Sequence, residues 1–196
     1  MSPYENLPAS LWPSRTDELI AAYPLRMDEL VEVVHAAWGS LFQSKIGANQ
    51  FAIGEHLFPK PQIIAFFLHE LIPLELASRY PGVWRGELVG ADKDVVYIPD
   101  ELYSIEIKTS SHPSQIFGNR SYAQQGGVAK KSKSGYYLAV NFDKVVRSEF
   151  PAKLRRIRFG WLDHEDWRGQ AASTGQQARL SPEVERGKLR LLFEDR

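Results

Sequence analysis

The stretch GADKDVVYIPDELYSIEIKTSS, residues 90–111, decides how the rest of the chain is read. Within it Tyr103-Ser104-Ile105-Glu106-Ile107-Lys108-Thr109 alternates bulky apolar with polar side chains, the period of a β-strand with one buried face. Ile105 and Ile107 then enter a core, while Glu106 and Lys108 share the opposite face. Pro99-Asp100-Glu101 is a turn composition, so Asp94–Ile98 and Leu102–Thr109 are expected to form a hairpin. A hairpin centred near Asp100 sets Asp94 directly across from Glu106, with Cβ atoms about 4.5–5.5 Å apart. Two carboxylates and one lysine converge on one point of the sheet.

Upstream, Pro3, Pro8, Pro13 and Pro24 break residues 1–24 into an extended arm with a short helix at Arg15–Tyr23, which either covers the core or wraps a partner subunit. Met27, Leu30, Val31, Val34, Ala37, Trp38, Leu41 and Phe42 recur at three- and four-residue steps and predict an amphipathic helix that runs to Lys45 and stops at Gly47. A second, more thoroughly apolar helix is expected from Pro61 to Tyr80, kinked or divided at Pro73. Val83–Val89 reads as a short strand. Downstream come a loop at Ser110–Ser114, a helical stretch between Gln115 and Lys133, a central strand at Tyr136–Phe142 and another at Ile157–Leu162. A short helix is expected at Asp163–Trp167 and a helix start at Ser181-Pro182, with a surface loop at Gly169–Gln177 between them. The order predicts an α/β domain spanning residues 1–196, a central mixed sheet flanked by helices.

The 196 residues, 43% hydrophobic, suit one core. The absence of cysteine excludes disulfides, thiolate metal sites and cysteine nucleophiles, so any metal must be held by oxygen or imidazole. No secretory leader and no long apolar run is seen, which makes the cytoplasm the expected compartment and gives the membrane no part. Net charge is zero, yet Arg120–Arg158 carries ten basic residues against two acidic ones. A basic surface on a neutral protein suits a phosphate-bearing partner, as does an ordinary solvated face.

Paired carboxylates need a compensating charge. A hard divalent cation supplies it, and Mg²⁺ takes one or two protein carboxylates while keeping positions for water and phosphate oxygens. Asp94 and Glu106 are the expected ligands, joined by the backbone carbonyl of Ile107. Lys108 is placed to orient or deprotonate an attacking water, or to stabilise charge developing on a phosphate. Asp92 is the second choice for the ligand role of Asp94. The histidines at 35, 56, 69, 112 and 164 lack ligand spacing, and His69 reads as a packed helix residue.

Asp94 on one strand and Glu106-Ile107-Lys108 on the next resemble the PD-(D/E)XK nuclease motif, and residues 86–142 resemble the core of the type II restriction endonucleases, the ScaI-like group among them. Lys93 stands where the motif has its proline. The resemblance implies a restriction-endonuclease-like fold and Mg²⁺-dependent hydrolysis of double-stranded DNA at a short, palindromic site, commonly by a homodimer. Its catalytic residues match Asp94, Glu106 and Lys108, and a further acidic residue from an upstream helix has candidates in Glu55 and Glu70. A repair, junction-resolving or transposon-associated nuclease of the same fold would use the same residues, and a non-catalytic DNA-binding module could retain the same sheet. For contact with DNA, Ser110, Ser111 and His112 follow the catalytic strand. Asn119, Arg120, Ser121, Tyr122, Gln124 and Gln125 have base-reading chemistry, and Lys130, Lys131 and Lys133 suit phosphates. Lys133, close to the central strand, is also a candidate for the catalytic face.

Overall fold

The computed structural model describes residues 2–123, 132–171 and 175–195. In chain order the elements are α1 (Trp12–Ala21), α2 (Met27–Gln43), a small hairpin of β1 (Lys45–Ile46) and β2 (Phe51–Ala52), α3 (Pro61–Arg79), β3 (Trp84–Gly86), β4 (Val95–Tyr97), β5 (Ile105–Ser110) and β6 (Phe117–Asn119). There follow β7 (Gly135–Phe142), β8 (Leu154–Leu162), β9 (Arg168–Gly169), β10 (Gln177–Arg179), α4 (Pro182–Lys188) and β11 (Arg190–Glu194). Six strands form one sheet in the order β11-β8-β7-β5-β4-β3, and β6-β10-β9 form a second. β5 and β7 run parallel, whereas their other neighbours are antiparallel, so the large sheet is mixed as expected.

The continuous apolar run Tyr136–Phe142 fills the centre of that sheet, and all of β7 is buried. Strand parity then divides the molecule. Ile105, Ile107, Tyr136, Leu138, Val140, Ile157 and Phe159 face α2 and α3 in the main core. Tyr137, Ala139 and Leu162 face the other way, where Ile116, Trp167, Ala178, Leu180, Val184 and Leu189 cover them. Helices therefore lie on both faces, with the small sheet added on the second.

α2 buries Leu30, Val33, Val34, Ala37, Trp38 and Leu41, the stripe that its periodicity predicts. It ends at Gln43, short of the predicted Lys45. Gly47, with φ +71°, serves instead the turn between β1 and β2, where its carbonyl accepts from Gln50 N. α3 remains one helix through Pro73. That proline is buried against β3, where a Cβ added to Gly86 would lie 3.5 Å from the Pro73 Cβ.

Three other expectations change. Leu102 does not begin a strand: Glu101–Tyr103 form a 3₁₀ turn, capped by the Asp100 carboxylate accepting from Leu102 N at 3.0 Å. The strand predicted over Val83–Val89 shrinks to β3, because Leu88 and Val89 enter an exposed turn organised by Asp92. The stretch predicted as helix begins as β6 and a 3₁₀ turn at Arg120–Ala123, since Phe117-Gly118-Asn119 pairs with β10. Residues 124–131, including Gln124, Gln125, Lys130 and Lys131, lie outside the described residues.

The N-terminal arm folds back on its own chain. Thr16 Oγ1 donates to Gly187 O at 2.8 Å and shares a hydrogen bond with the Tyr4 hydroxyl, also at 2.8 Å. The buried Lys188 ammonium lies 2.8 Å from Asp166 and over the rings of Tyr4 and Trp12. Ser2 Oγ donates to Asp163 at 2.6 Å. α4 begins where sequence places it, with Ser181 Oγ accepting from Val184 N. Its C-terminal end passes so close to β8 that a Cβ on Gly160 would fall 2.0 Å from Lys188 O. Relief requires moving backbone on a sheet strand. Gly160→Ala is therefore expected to cost at least about 3 kcal/mol in chemical denaturation, the upper part of the range for overpacked interiors; a loss under about 1 kcal/mol would contradict this packing.

Candidate active site

β5 is pinned by its apolar side. Ile105 and Ile107 are fully buried, each adding roughly 1.5–3 kcal/mol of burial free energy. Alternation then forces Glu106 and Lys108 onto the face opposite the main core. Glu106 is only 2% exposed, which is costly for a carboxylate unless it is paired. It is paired twice on one oxygen: Lys108 Nζ donates to Oε1 at 2.7 Å, and the Tyr122 hydroxyl donates to the same atom. Lys108 Nζ also donates to Ile107 O at 3.1 Å.

The hairpin has the expected register. Val95 pairs with Ile105, which keeps the centre at Asp100 and aligns position 94 with position 106. Asp94 sits one residue before β4 and turns its carboxylate onto β5, accepting from Ile107 N at 2.6 Å. Lys93, in the proline position of the motif, reaches the other way. Its Nζ donates to Ser132 O at 2.5 Å and lies over the Tyr137 ring, tying the turn to the start of β7. Asp92 is committed to structure: it receives Arg85 Nη1 at 2.6 Å and the backbone N–H groups of Leu88 and Val89. Those contacts hold its carboxyl down at about 2.

Glu106, Lys108 and Asp94 are thus brought together. Glu55 and Glu70 are not brought to them. Glu55 is exposed beside His56, at 3.6 Å, and Glu70 is on the exposed side of α3. The residue that α3 sends to the site is His69, whose Nδ1 lies 3.7 Å from Asp94 Oδ2. His69 is one step from the buried Leu68 and in line with Ile72, so the apolar periodicity already turns it toward the sheet, about 100° from Glu70. Tyr137, opposite Glu106 in the parallel ladder, also belongs to this surroundings. Burial, followed by the Glu106 charge, pushes its phenol well above the ordinary value, and its hydroxyl donates a hydrogen bond to Lys133 O at 2.5 Å.

The residues expected at DNA divide into two groups. Ser110 and His112 build the loop after β5: Ser110 Oγ accepts from His112 N, and His112 Nδ1 accepts from Ser114 N and Gln115 N. Asn141, fully buried, fastens that loop by donating to His112 O and Gln115 O, with Arg158 donating to its Oδ1. Ser111 is half-buried on the same loop. Asn119 and Ser121 are exposed on the turn that carries Tyr122 to Glu106, and Arg120 donates to Gly175 O. Lys133 lies 5.9 Å from the centre of the Tyr122 ring. The basic surplus does not form one free surface. Arg155 meets Asp143 and Asp195, Arg156 meets Glu194, Arg158 meets Glu185, and Lys153 meets Asp195. The strand pairing of β8 with β11 accounts for much of this, because it sets acidic partners opposite the arginines.

A cavity of about 1220 Å³ lies beside the hairpin, bordered by Lys93, Val96, Ser104, Gly135, Asp163 and Lys188 among others. Among the described residues that line it, seven carboxylates face three basic side chains, the wrong balance for a phosphate backbone. The chemistry belongs to the Glu106 cluster instead. There the donor set is hard oxygen: two carboxylates and the Ile107 carbonyl. Among the described residues no three His, Asp or Glu side chains form a cage, in keeping with a cation that uses one or two carboxylates and substrate oxygens. The Lys108 ammonium bridges Glu106 Oε1 and Ile107 O.

A mixed sheet flanked by helices, carrying Asp94 beside Glu106-Ile107-Lys108, defines a nuclease of the PD-(D/E)XK class. The chain belongs to the ScaI restriction endonuclease family, whose model matches residues 2–193. It is 49% identical over 192 residues to the type II restriction enzyme ScaI of Streptomyces caespitosus, covering 96% of this chain and 83% of that enzyme. No solved structure matches.

The Asp92 contacts can be checked without substrate. A carboxyl whose folded value is depressed stabilises the fold above its unfolded value, ordinarily 3.8, and loses that contribution as pH falls toward about 2. Asp92→Asn is expected to lower the melting temperature near neutrality and to flatten its fall between pH 4 and 2, read by circular dichroism. An unchanged acid limb would contradict the assignment.

Proposed function

We propose that this protein hydrolyses double-stranded DNA at a short palindromic sequence, with Mg²⁺ held by Asp94, Glu106 and the carbonyl of Ile107. The observation that carries the proposal is the Lys108 ammonium resting on Glu106 Oε1 and Ile107 O, beside the Asp94 carboxylate. A centre that already holds a monovalent cation has the charge and donor atoms for a divalent one. When bound, Mg²⁺ supplies Lewis-acid stabilisation of the negative charge that builds up on the phosphoryl oxygens.

The chain's own residues do the remainder. Asp94 and Glu106, brought together at one point of the sheet, would hold the cation against the scissile phosphate. Lys108, freed from Glu106, offers its N–H donors to a phosphoryl oxygen or to the attacking water. The water oxygen bonds to phosphorus as the phosphorus–oxygen ester bond breaks; the attacking water gives up a proton to solvent, the departing oxygen leaves with the bonding pair and takes up a proton from solvent, and the loop fastened by Asn141 keeps the end of β5 in place.

Asn119, Arg120 and Ser121 are the base-reading candidates, because their turn also delivers Tyr122 to the centre. Ser110, Ser111 and His112 follow the C-terminal end of β5 and suit the DNA backbone, as does Lys133, which precedes β7 by the start of β5 and lies near the Tyr122 ring. One such centre cuts one strand, so a homodimer whose twofold axis matches that of the DNA is the assembly that severs both. Among the described residues no helix is long and apolar enough to cross a membrane; we assign the activity to the cytoplasm, where the DNA is.

Purified protein incubated with long duplex DNA is expected to give defined fragments only when Mg²⁺ is present, with one palindromic sequence at every fragment end. Asp94→Ala and Lys108→Ala should each slow cleavage at least about 10²-fold while the fold is preserved by circular dichroism. Cleavage by both variants at the full rate would overturn the site. Cleavage confined to mismatched or branched DNA would overturn the restriction reading.

A further inference from the structure

Tyr122 was expected to face DNA, yet it turns inward. Its hydroxyl donates to Glu106 Oε1, and its ring lies beneath the Lys108 ammonium, 4.6 Å from Nζ to the ring centre. Two of the three residues that define the centre therefore touch one side chain from the 3₁₀ turn that follows β6.

The ring is held firmly enough to act as a template. On its far side it packs against Trp167, with ring centres 5.3 Å apart, and Trp167 is itself buried. Gly118 of β6 forms the floor. A Cβ there would lie 3.1 Å from Tyr122 Cγ and 3.2 Å from Trp167, so the absence of a side chain is what lets the tyrosine settle. β6 is in turn locked by pairing with β10, and Arg120 N donates to Gln176 O at 2.7 Å at the entrance to the turn.

We infer that Tyr122 is a positioning residue for the nuclease centre, fixing the rotamer of Glu106 through its hydroxyl and the place of the Lys108 ammonium through its ring. The inference rests on the reading of Asp94, Glu106 and Lys108 as the active centre. A hydrogen bond from a neighbouring side chain holds a ligating carboxylate in one rotamer, and loss of such an outer partner lowers metal affinity about 10–100-fold. A cation over a phenol face is attracted by the ring's quadrupole, which favours one lysine rotamer. The small sheet thereby sets the chemistry as well as covering the back of the large one.

The test compares Mn²⁺ binding to the DNA-free protein, by isothermal titration calorimetry, with steady-state cleavage of long duplex DNA. Asp94→Asn reports on the centre itself: undiminished Mn²⁺ binding in that variant would overturn the underlying site. If Asp94→Asn loses binding, Tyr122→Phe tests the inference alone. It keeps the ring and packing, so its melting temperature should be close to that of the parent, while Mn²⁺ affinity falls about tenfold and kcat falls with KM for DNA unchanged. Unchanged Mn²⁺ affinity with a raised KM would show Tyr122 to be a DNA contact and overturn the inference. Tyr122→Leu, which also removes the ring beneath Lys108, should lose several-fold more kcat than Tyr122→Phe; equal losses would overturn the part assigned to the ring.

Discussion

The ion pair between Glu106 and Lys108, 2.7 Å long and nearly sealed from solvent, is the interaction around which the functional half of the molecule is arranged. Neither charge is stable there alone. Removing one partner of a buried pair typically costs about 3–5 kcal/mol, because the survivor is left desolvated. What places the two charges side by side is the apolar side of the same strand. Ile105 and Ile107 are committed to the core under α3, so Glu106 and Lys108 have only the opposite face available. A one-residue slip of β5 would put both charges into the core and both isoleucines outside it. Fold and site are therefore specified by one register.

Around this pair the fold supplies the remaining groups from three directions. The β4–β5 hairpin brings Asp94 to the backbone of Ile107. α3 contributes His69 behind Asp94, and the small sheet contributes Tyr122 in front of Glu106. The buried network of Asn141 and Arg158 fixes the loop that leaves β5, with Arg158 Nη2 also donating to Ser114 O at 2.6 Å. Each contribution comes from a separate stretch of chain, so the centre exists only when the large sheet, a helix and the small sheet are assembled together. The Lys108 ammonium compensates the Glu106 carboxylate at this buried position.

What was legible in the sequence follows from how local each cause is. The alternation in Tyr103–Thr109 and the turn at Pro99-Asp100 are local, and they were enough to give the register that aligns Asp94 with Glu106. The α2 stripe and the central strand at Tyr136–Phe142 were legible for the same reason. Glu70 and His69 are adjacent, and choosing between them needs the rotation of α3 against the sheet, which only the packing of Leu68 and Ile72 decides. Tyr122 carried no local sign of its role, because Gly118, Trp167 and β10 hold it, and they lie far apart in sequence. The basic run from Arg120 to Arg158 leaves a phosphate-facing surface and a solvated face open for a related reason: the partners Asp195, Glu194 and Glu185 of its arginines at 155, 156 and 158 come from the C-terminal segment, whose pairing with β8 composition does not reveal. Pro73 predicts a kink or a division of α3, and the helix is not divided there; the proline is buried against β3.

The central claim is that Asp94, Glu106 and the Ile107 carbonyl form a seat for a divalent cation that Lys108 occupies in the cation's absence. A crystal structure of the protein grown with Mn²⁺, with anomalous scattering recorded at the manganese edge, tests it most directly. The account predicts an anomalous peak bonded to oxygens of Asp94 and Glu106 and to the Ile107 carbonyl, with Lys108 Nζ displaced from Glu106. A peak elsewhere, for instance at Asp163 and Asp166, with the Lys108–Glu106 pair intact would contradict it.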